Sequence, residues 1–206
     1  MFITLEGPEG SGKTTQMKAL AEALRARGHI VFTTREPGGT GIGDQIRRVL
    51  LDLGNDGMVA RTEILLFLAS RAQHTDEVIR PRLAAGEIVI CDRYRDSTVA
   101  YQGYGRGVDI DRLHELNDFA TGGLLPDLTV LLDVSAETGL ARRASDGSWN
   151  RLDADAVDFH RRVQAGYHAM AEAEPERWRV VDANQGAEAV QEALLDVVAE
   201  KLGVSY

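Results

Sequence analysis

The chain has 206 residues, 44% of them hydrophobic, which suits one domain or one domain with a small mobile insert rather than two full domains. A formal charge of −9 disfavours a broad nucleic-acid or anionic-membrane surface, because such partners reward positive surface; local basic pockets remain open. The single cysteine, Cys91, lies in an apolar run and reads as a buried small hydrophobe, so no internal disulfide is expected.

The N-terminal MFITLEG lacks the basic flank and long apolar stretch of a signal peptide, and no later window approaches the ~20 apolar residues that span a bilayer. A soluble, cytoplasmic protein is expected. FITL at 2–5 reads as a first strand, and a helical pattern from Lys13 to about Arg27 is stopped by Gly28. IVFTT at 30–34 is a second strand. After the turn PGGTGIG, a helix is expected over about Asp44 to Leu53, then a long helical segment from Ala60 to Ala85 that Pro81 kinks or splits. EIVICD at 87–92, TVLLDV at 129–134 and RVVDA at 179–183 complete five strands, each flanked by helical patterns. Continuous apolar strands between helices indicate an α/β fold with a parallel sheet covered on both faces. SDGSWNRLD at 145–153 is the least ordered stretch, a candidate lid.

Between the first strand and first helix lies G-x-x-x-x-G-K-[ST], met by Gly7, Pro8, Glu9, Gly10, Ser11, Gly12, Lys13 and Thr14, with Thr15 following. Its glycines let successive N–H groups face phosphate oxygens, Lys13 adds a mobile charge, and the Thr14 hydroxyl can ligate Mg²⁺. ATP and Mg²⁺ are therefore expected. Triphosphate binding alone leaves a GTPase, a motor ATPase or a small-molecule kinase. N-K-x-D is absent, and no aspartate has glycine three residues on. IVICD ends in Asp92 followed by Arg93, where a motor would carry a water-activating glutamate. An arginine there can clamp a phosphate, so the acceptor is expected to be phosphorylated itself.

GPEGSGKTT, TREPGGT at 34–40 and CDRYRDSTVAYQGYGRG at 91–107, in this order and at these intervals, resemble the bacterial thymidylate kinases over essentially the whole chain. The resemblance implies a P-loop nucleoside monophosphate kinase fold on a five-stranded parallel sheet. It also implies a single domain over 1–206 with a lid at about 142–155, transfer of the ATP γ-phosphoryl group to dTMP, and a homodimer. Other readings are a kinase for dUMP or a broader range of pyrimidine acceptors, and a catalytically quiet nucleotide sensor.

Arg35 follows the second strand at the ligand edge of such a sheet and, with Arg93, can hold the acceptor phosphate. Arg47 matches a family position near the acceptor, although a solvated arginine beside Arg48 fits the same pattern. Phe67 and Arg71 share one helix face, an aromatic to stack on a base and a donor for its carbonyl edge. By pattern alone Phe67 reads as core within ILLFLA; the resemblance assigns it stacking. The resemblance further implies base contacts from Thr98 and Gln102 and, at Tyr101, a block against a ribose 2′-hydroxyl. It directs Glu9 toward the deoxyribose 3′-hydroxyl and leaves transition-state charge to Lys13, Arg93 and lid arginines, with Arg151 expected first, Arg143 second and Arg142 also a candidate. In NRLD, Asn150 and Asp153 stand where many members have D-R-x-E, which puts the support of Arg151 in question. Asp92 can hold a Mg²⁺-bound water or pin Arg93. The five histidines show no metal-ligand spacing and are assigned no chemistry.

Overall fold

The computed structural model describes residues 1–145 and 149–204. Five strands, β1 (Phe2–Glu6), β2 (Val31–Arg35), β3 (Ile88–Asp92), β4 (Leu128–Asp133) and β5 (Trp178–Asp182), form one parallel sheet in the order β2-β3-β1-β4-β5. Strands β1 and β3 are buried at every residue, as their unbroken apolar runs demand. Alternation sorts their side chains between two cores. Ile3, Leu5, Ile88, Ile90, Val130 and Leu132 pack with α1 (Lys13–Ala26) and α9 (Ala187–Leu202), while Phe2, Val89 and Cys91 pack on the opposite face with Ile79 and Tyr94. Cys91 is free and buried.

The expected helix at 44–53 begins earlier and ends sooner, as α2 (Gly41–Leu51). The Thr40 hydroxyl accepts from the Gly43 N–H at 2.9 Å and caps it. Gly43 is needed there, since a Cβ would stand 2.9 Å from the Gly38 carbonyl oxygen. The long segment divides as α3 (Ala60–His74), a π-helical turn at Thr75–Ile79 and α4 (Arg80–Ala84). Pro81 sits in the first turn of α4, where its missing N–H costs little, so the π turn rather than the proline makes the break. After β3 come α5 (Arg95–Thr98), a second π-helical turn at Val99–Gly105 and α6 (Ile110–Thr121). Between β4 and β5 lie α7 (Ala136–Ser145) and α8 (Val157–Ala173). Of the stretch expected to be a lid, Asp146, Gly147 and Ser148 fall outside the described residues.

Register aligns the ligand edge. Arg35 is level with Asp92, and Asp92 with Leu5, so the carboxyl ends of β2, β3 and β1 open onto one space. Strand order reverses beside β1, the position where such sheets bind ligands. The loop after β1 is braced from the other side by α7: a Cβ on Gly139 would collide with the Glu9 carbonyl oxygen, and one on Gly10 with the Gly139 carbonyl. Gly139→Ala should therefore push helix and loop apart at a cost of ~1–3 kcal/mol. Thermal unfolding should show a melting temperature lower by several degrees.

Candidate functional site

Gly7, Gly10 and Gly12 take positive φ, which curls the backbone of residues 7–12 into a loop against the start of α1. Lys13 is folded into this loop, its Nζ donating to the carbonyls of Gly7 (3.1 Å) and Pro8 (2.8 Å) and to the Ser11 hydroxyl (3.1 Å). Burial, then the nearby Arg93 charge, depresses its pKa to about 8 against the pull of Asp92, Glu9 and Glu6. The Thr14 hydroxyl donates to Asp92 Oδ2 at 2.7 Å. Asp92 thus engages Thr14, while the ion pair of Arg93 goes to Glu9.

A cavity of about 330 Å³ opens beside this loop. Arg93 lines it and is the one non-glycine residue with positive φ among those described, at 70°. The N–H groups that flank this turn are held by Leu5 O (3.0 Å from Arg93 N) and Glu6 Oε1 (2.8 Å from Tyr94 N). All four Nη hydrogens of Arg93 have acceptors: Ser97 and Tyr167 hydroxyls for Nη1, Glu9 Oε1 and the Tyr101 hydroxyl for Nη2. Burial pushes the Glu9 carboxyl up, but Arg93, Lys13, Tyr101 and Arg143 together bring it down to about 2. Glu6, buried behind Ser97 and Tyr167 and accepting from both hydroxyls, is pushed up to about 7 by burial and by Asp96.

At the far end, Arg71 is 1% exposed yet borders the cavity. Its Nε donates to Glu36 (2.7 Å), Nη1 to Thr98 and Asn117 (2.8 Å each), and Nη2 to the Tyr94 carbonyl (2.9 Å). One of five N–H donors is left without a partner among the described residues. Glu36 is itself fixed by His74 Nδ1 at 2.9 Å, and His74 Nε2 lies 2.7 Å from the Thr34 hydroxyl. Phe67 is half-buried, lines the cavity and belongs to no core cluster, so the pattern reading of it as core does not hold. Thr98, Tyr101 and Gln102 line the same wall; the Gln102 amide donates to Glu63 at 2.8 Å.

Arg35 and Arg47 line the mouth. Arg35 is exposed, 3.4 Å from Asp44; Arg47 is half-buried and donates to the Pro37 carbonyl at 2.8 Å, whereas Arg48 is exposed. Burial, then the Arg35 charge, lowers the pKa of Arg47.

The lid arginines depart from the sequence expectation. Arg151 does not line the cavity; it is buried, donating through Nε to the Leu50 carbonyl (2.9 Å) and through Nη2 to Glu63. Its support comes from α2 and α3 instead of the NRLD carboxylate. That carboxylate, Asp153, accepts from Arg143 Nε at 3.1 Å and from the Asn150 backbone and side-chain nitrogens. Arg142 and Arg143 both border the cavity, with Arg142 also donating to the Ala183 carbonyl.

Sequence reading missed Glu6, Glu36, Glu63, Ser97 and Tyr167. Glu6 carried a signal, a carboxylate ending an apolar strand immediately before the loop, and Glu36 lay inside the quoted TREPGGT. Tyr167 carried none, reaching Glu6 from 161 residues away.

A phosphate loop that shares one cavity with an aromatic side chain and several arginines suits transfer to a phosphorylated small molecule. The fold and site are those of a P-loop nucleoside monophosphate kinase. The family described as Thymidylate kinase matches residues 5–194. Thymidylate kinases from Roseiflexus castenholzii and Thermomicrobium roseum are each 54% identical, over 96% and 97% of this chain and 92% and 94% of their own lengths. The crystal structure of thymidylate kinase from Ehrlichia chaffeensis superimposes with a TM-score of 0.78 at 36% identity, covering 96% of this chain and 98% of that one. The chain belongs to the thymidylate kinase family and phosphorylates dTMP with ATP.

A triphosphate held by this loop would favour the charged form of Lys13, whose pKa burial brings down to about 8. ATP affinity should therefore be full below pH 8 and fall as pH rises through it, by up to ~tenfold per unit until the raised pKa of the complex is reached. Calorimetric titration from pH 7 to 10 checks this, with Lys13→Met losing the slope.

Proposed function

We propose that the cavity is the acceptor half of the active site and that this chain's own residues divide the γ-phosphoryl transfer to dTMP as follows. The observation that carries the reading is the hydrogen-bond balance of Arg71: four donors are spent on protein and one is left at a cavity wall shared with Phe67. One donor beside an aromatic face suits a base carbonyl, which thymine has where cytosine carries an amine. Phe67 stacks on the base, and Thr98 and Gln102 contact its edge. The Tyr101 hydroxyl, held between Glu9 and Arg93, crowds the 2′ position of the sugar, while Glu9 accepts from the 3′-hydroxyl. Arg93, Arg35 and Arg47 take the acceptor phosphate. Their positive charge offsets the repulsion between the two phosphorylated substrates.

On the donor side, the backbone of residues 7–15 and Lys13 hold the ATP phosphates. The oxygen donors Thr14 and Asp92, 2.7 Å apart, fit Mg²⁺, which keeps most of its waters; when bound it would supply charge neutralisation between the phosphates. Among the described residues no cluster of three or more metal-ligating side chains exists, consistent with an ion held chiefly by nucleotide and water.

The region around 142–155 acts as the lid of a single domain, supported by the presence of Arg142, Arg143, Asn150 and Leu152 at the cavity's rim. Transition-state charge then falls to Arg143 before Arg151, reversing the order expected from sequence, and Arg151 serves as an anchor. The exposed apolar side chains Leu65 (62%) on α3 and Phe119 (90%) on α6 support a homodimer through these neighbouring helices. No helix among the described residues is long and apolar enough to cross a membrane, in keeping with a cytoplasmic enzyme of nucleotide synthesis.

A coupled ADP-release assay with dTMP, dUMP, dCMP, UMP, AMP and GMP should rank dTMP first and UMP far below it. Equal efficiency on dTMP and UMP would sink the sugar-gate and base-pocket assignments together. In the same assay Arg143→Ala should lower kcat by ~10²-fold. Arg151→Ala should instead destabilise the fold by ~3 kcal/mol or more, as the loss of one partner of a buried pair does. Protein that remains folded should retain most of its kcat.

A further inference from the structure

A glutamine at a base edge is ambiguous, because its amide can present either an acceptor or a donor. Gln102 is 1% exposed and borders the cavity. Its Nε2 donates to Glu63 Oε1 at 2.8 Å, and among the described residues nothing donates to its Oε1. Glu63, on α3 one turn before Phe67, is 1% exposed and, as long as it stays ionised, can only accept. Two arginines keep it so: Arg106 through Nε (3.2 Å) and Nη2 (3.3 Å), and Arg151 through Nη2. Burial works against the ionised form, but Arg106, Gln102 and Arg151 outweigh it and hold the carboxyl below its ordinary range. Arg106 is in turn clasped by Asp155 at 2.8 and 2.9 Å, so the carboxylate is fixed from behind.

From this geometry we infer that Glu63, which touches no substrate, is a specificity-determining positioning residue: it locks the Gln102 amide so that the carbonyl oxygen alone faces the base. The inference rests on the base-pocket reading above. Together with the single spare donor of Arg71, the wall then presents a donor beside an acceptor. That pattern complements the C4 carbonyl and adjacent N3–H of thymine or uracil. It opposes cytosine twice, with donor facing amine and acceptor facing a bare ring nitrogen, and buried polar mismatches are the strongest source of discrimination a pocket has. The same carboxylate holds Arg151, so the anchoring of the 149–155 segment and the reading of the base share one side chain.

The test compares dUMP with dCMP, acceptors that differ only at this edge. The wild-type enzyme should prefer dUMP. Glu63→Gln, isosteric but able to donate as well as accept, lets the Gln102 amide turn over, and the dUMP/dCMP ratio of kcat/KM should fall at least ~tenfold with part of the change arising as a gain on dCMP. A lesion of packing alone lowers both acceptors alike and leaves the ratio intact, which would overturn the role of Glu63. If the wild-type enzyme itself fails to discriminate, the base-pocket reading is what fails. A second measurement needs no Glu63 variant. In ¹⁵N-labelled wild-type protein the Gln102 side-chain amide, assigned by its absence in Gln102→Met, should show one proton slow to exchange with water before and after dTMP is added. Rapid exchange of both amide protons in both states would refute the lock.

Discussion

The ion pair between Glu9 and Arg93, 2.9 Å long and nearly out of water, ties the phosphate loop to the turn after β3 that borders the cavity. Neither residue is there by local preference: one puts a carboxylate in an anion-binding loop, the other holds a bulky side chain at positive φ. Each makes sense through its partner. Glu9 with its pKa near 2 is anionic at any physiological pH, and it turns toward Arg93 and Tyr101 at the cavity wall. Arg93 is aimed by a turn whose flanking N–H groups are fixed by β1 itself, through Leu5 O and Glu6 Oε1. Strain at one residue is sustained because the sheet over-determines its neighbours.

A related arrangement recurs around the cavity, where buried carboxylates stand behind several of the donors and hydroxyls that surround it. Glu6 backs the hydroxyls that accept from Arg93, Glu36 backs Arg71, and Glu63 backs Gln102. A net charge of −9 is thus compatible with an arginine-rich site. Much of the negative charge near the cavity is spent on orienting cations. Orientation is what phosphoryl transfer asks of a protein, since the chemistry itself needs little beyond positioned charge.

The sheet was largely legible. Strands buried on both faces declare themselves as apolar runs, and all five fall within one or two residues of the stretches read from sequence. The loop and Arg93 were legible because their spacing carries a mechanism. What escaped was long-range: periodicity cannot show which side of the apolar stretch ILLFLA meets a cavity, so Phe67 read as core. NRLD shows an arginine but not the glutamate 88 residues earlier that receives it. The early start of α2 was hidden by glycines, Gly41 and Gly43, which read as turn until the approach of the Gly38 carbonyl explains the second of them. The π turns at 75–79 and 99–105 had no signature at all, yet the second carries Tyr101 and Gln102 into the cavity.

The substitutions in NRLD have a coherent electrostatic consequence. A shortened carboxylate at position 153 stays within reach of Asn150 and of Arg143 Nε, one helix end away, so the acidic residue that looks like a weakened support for Arg151 supports its neighbour. Arg143 is close enough to Glu9 to help depress its pKa. The charge on the phosphate loop and the charge on α7 are therefore coupled. On the proposed assignment of the acceptor phosphate to Arg93, that phosphate would meet a guanidinium with all four Nη hydrogens committed, three to neutral hydroxyls and one to Glu9. Exchanging a hydroxyl for a phosphate oxygen gains a charge-assisted bond, whereas releasing Glu9 would leave a desolvated carboxylate beside the incoming anion. The energetically favoured exchange would keep Glu9 and Arg93 paired, and so keep the loop registered against the turn after β3.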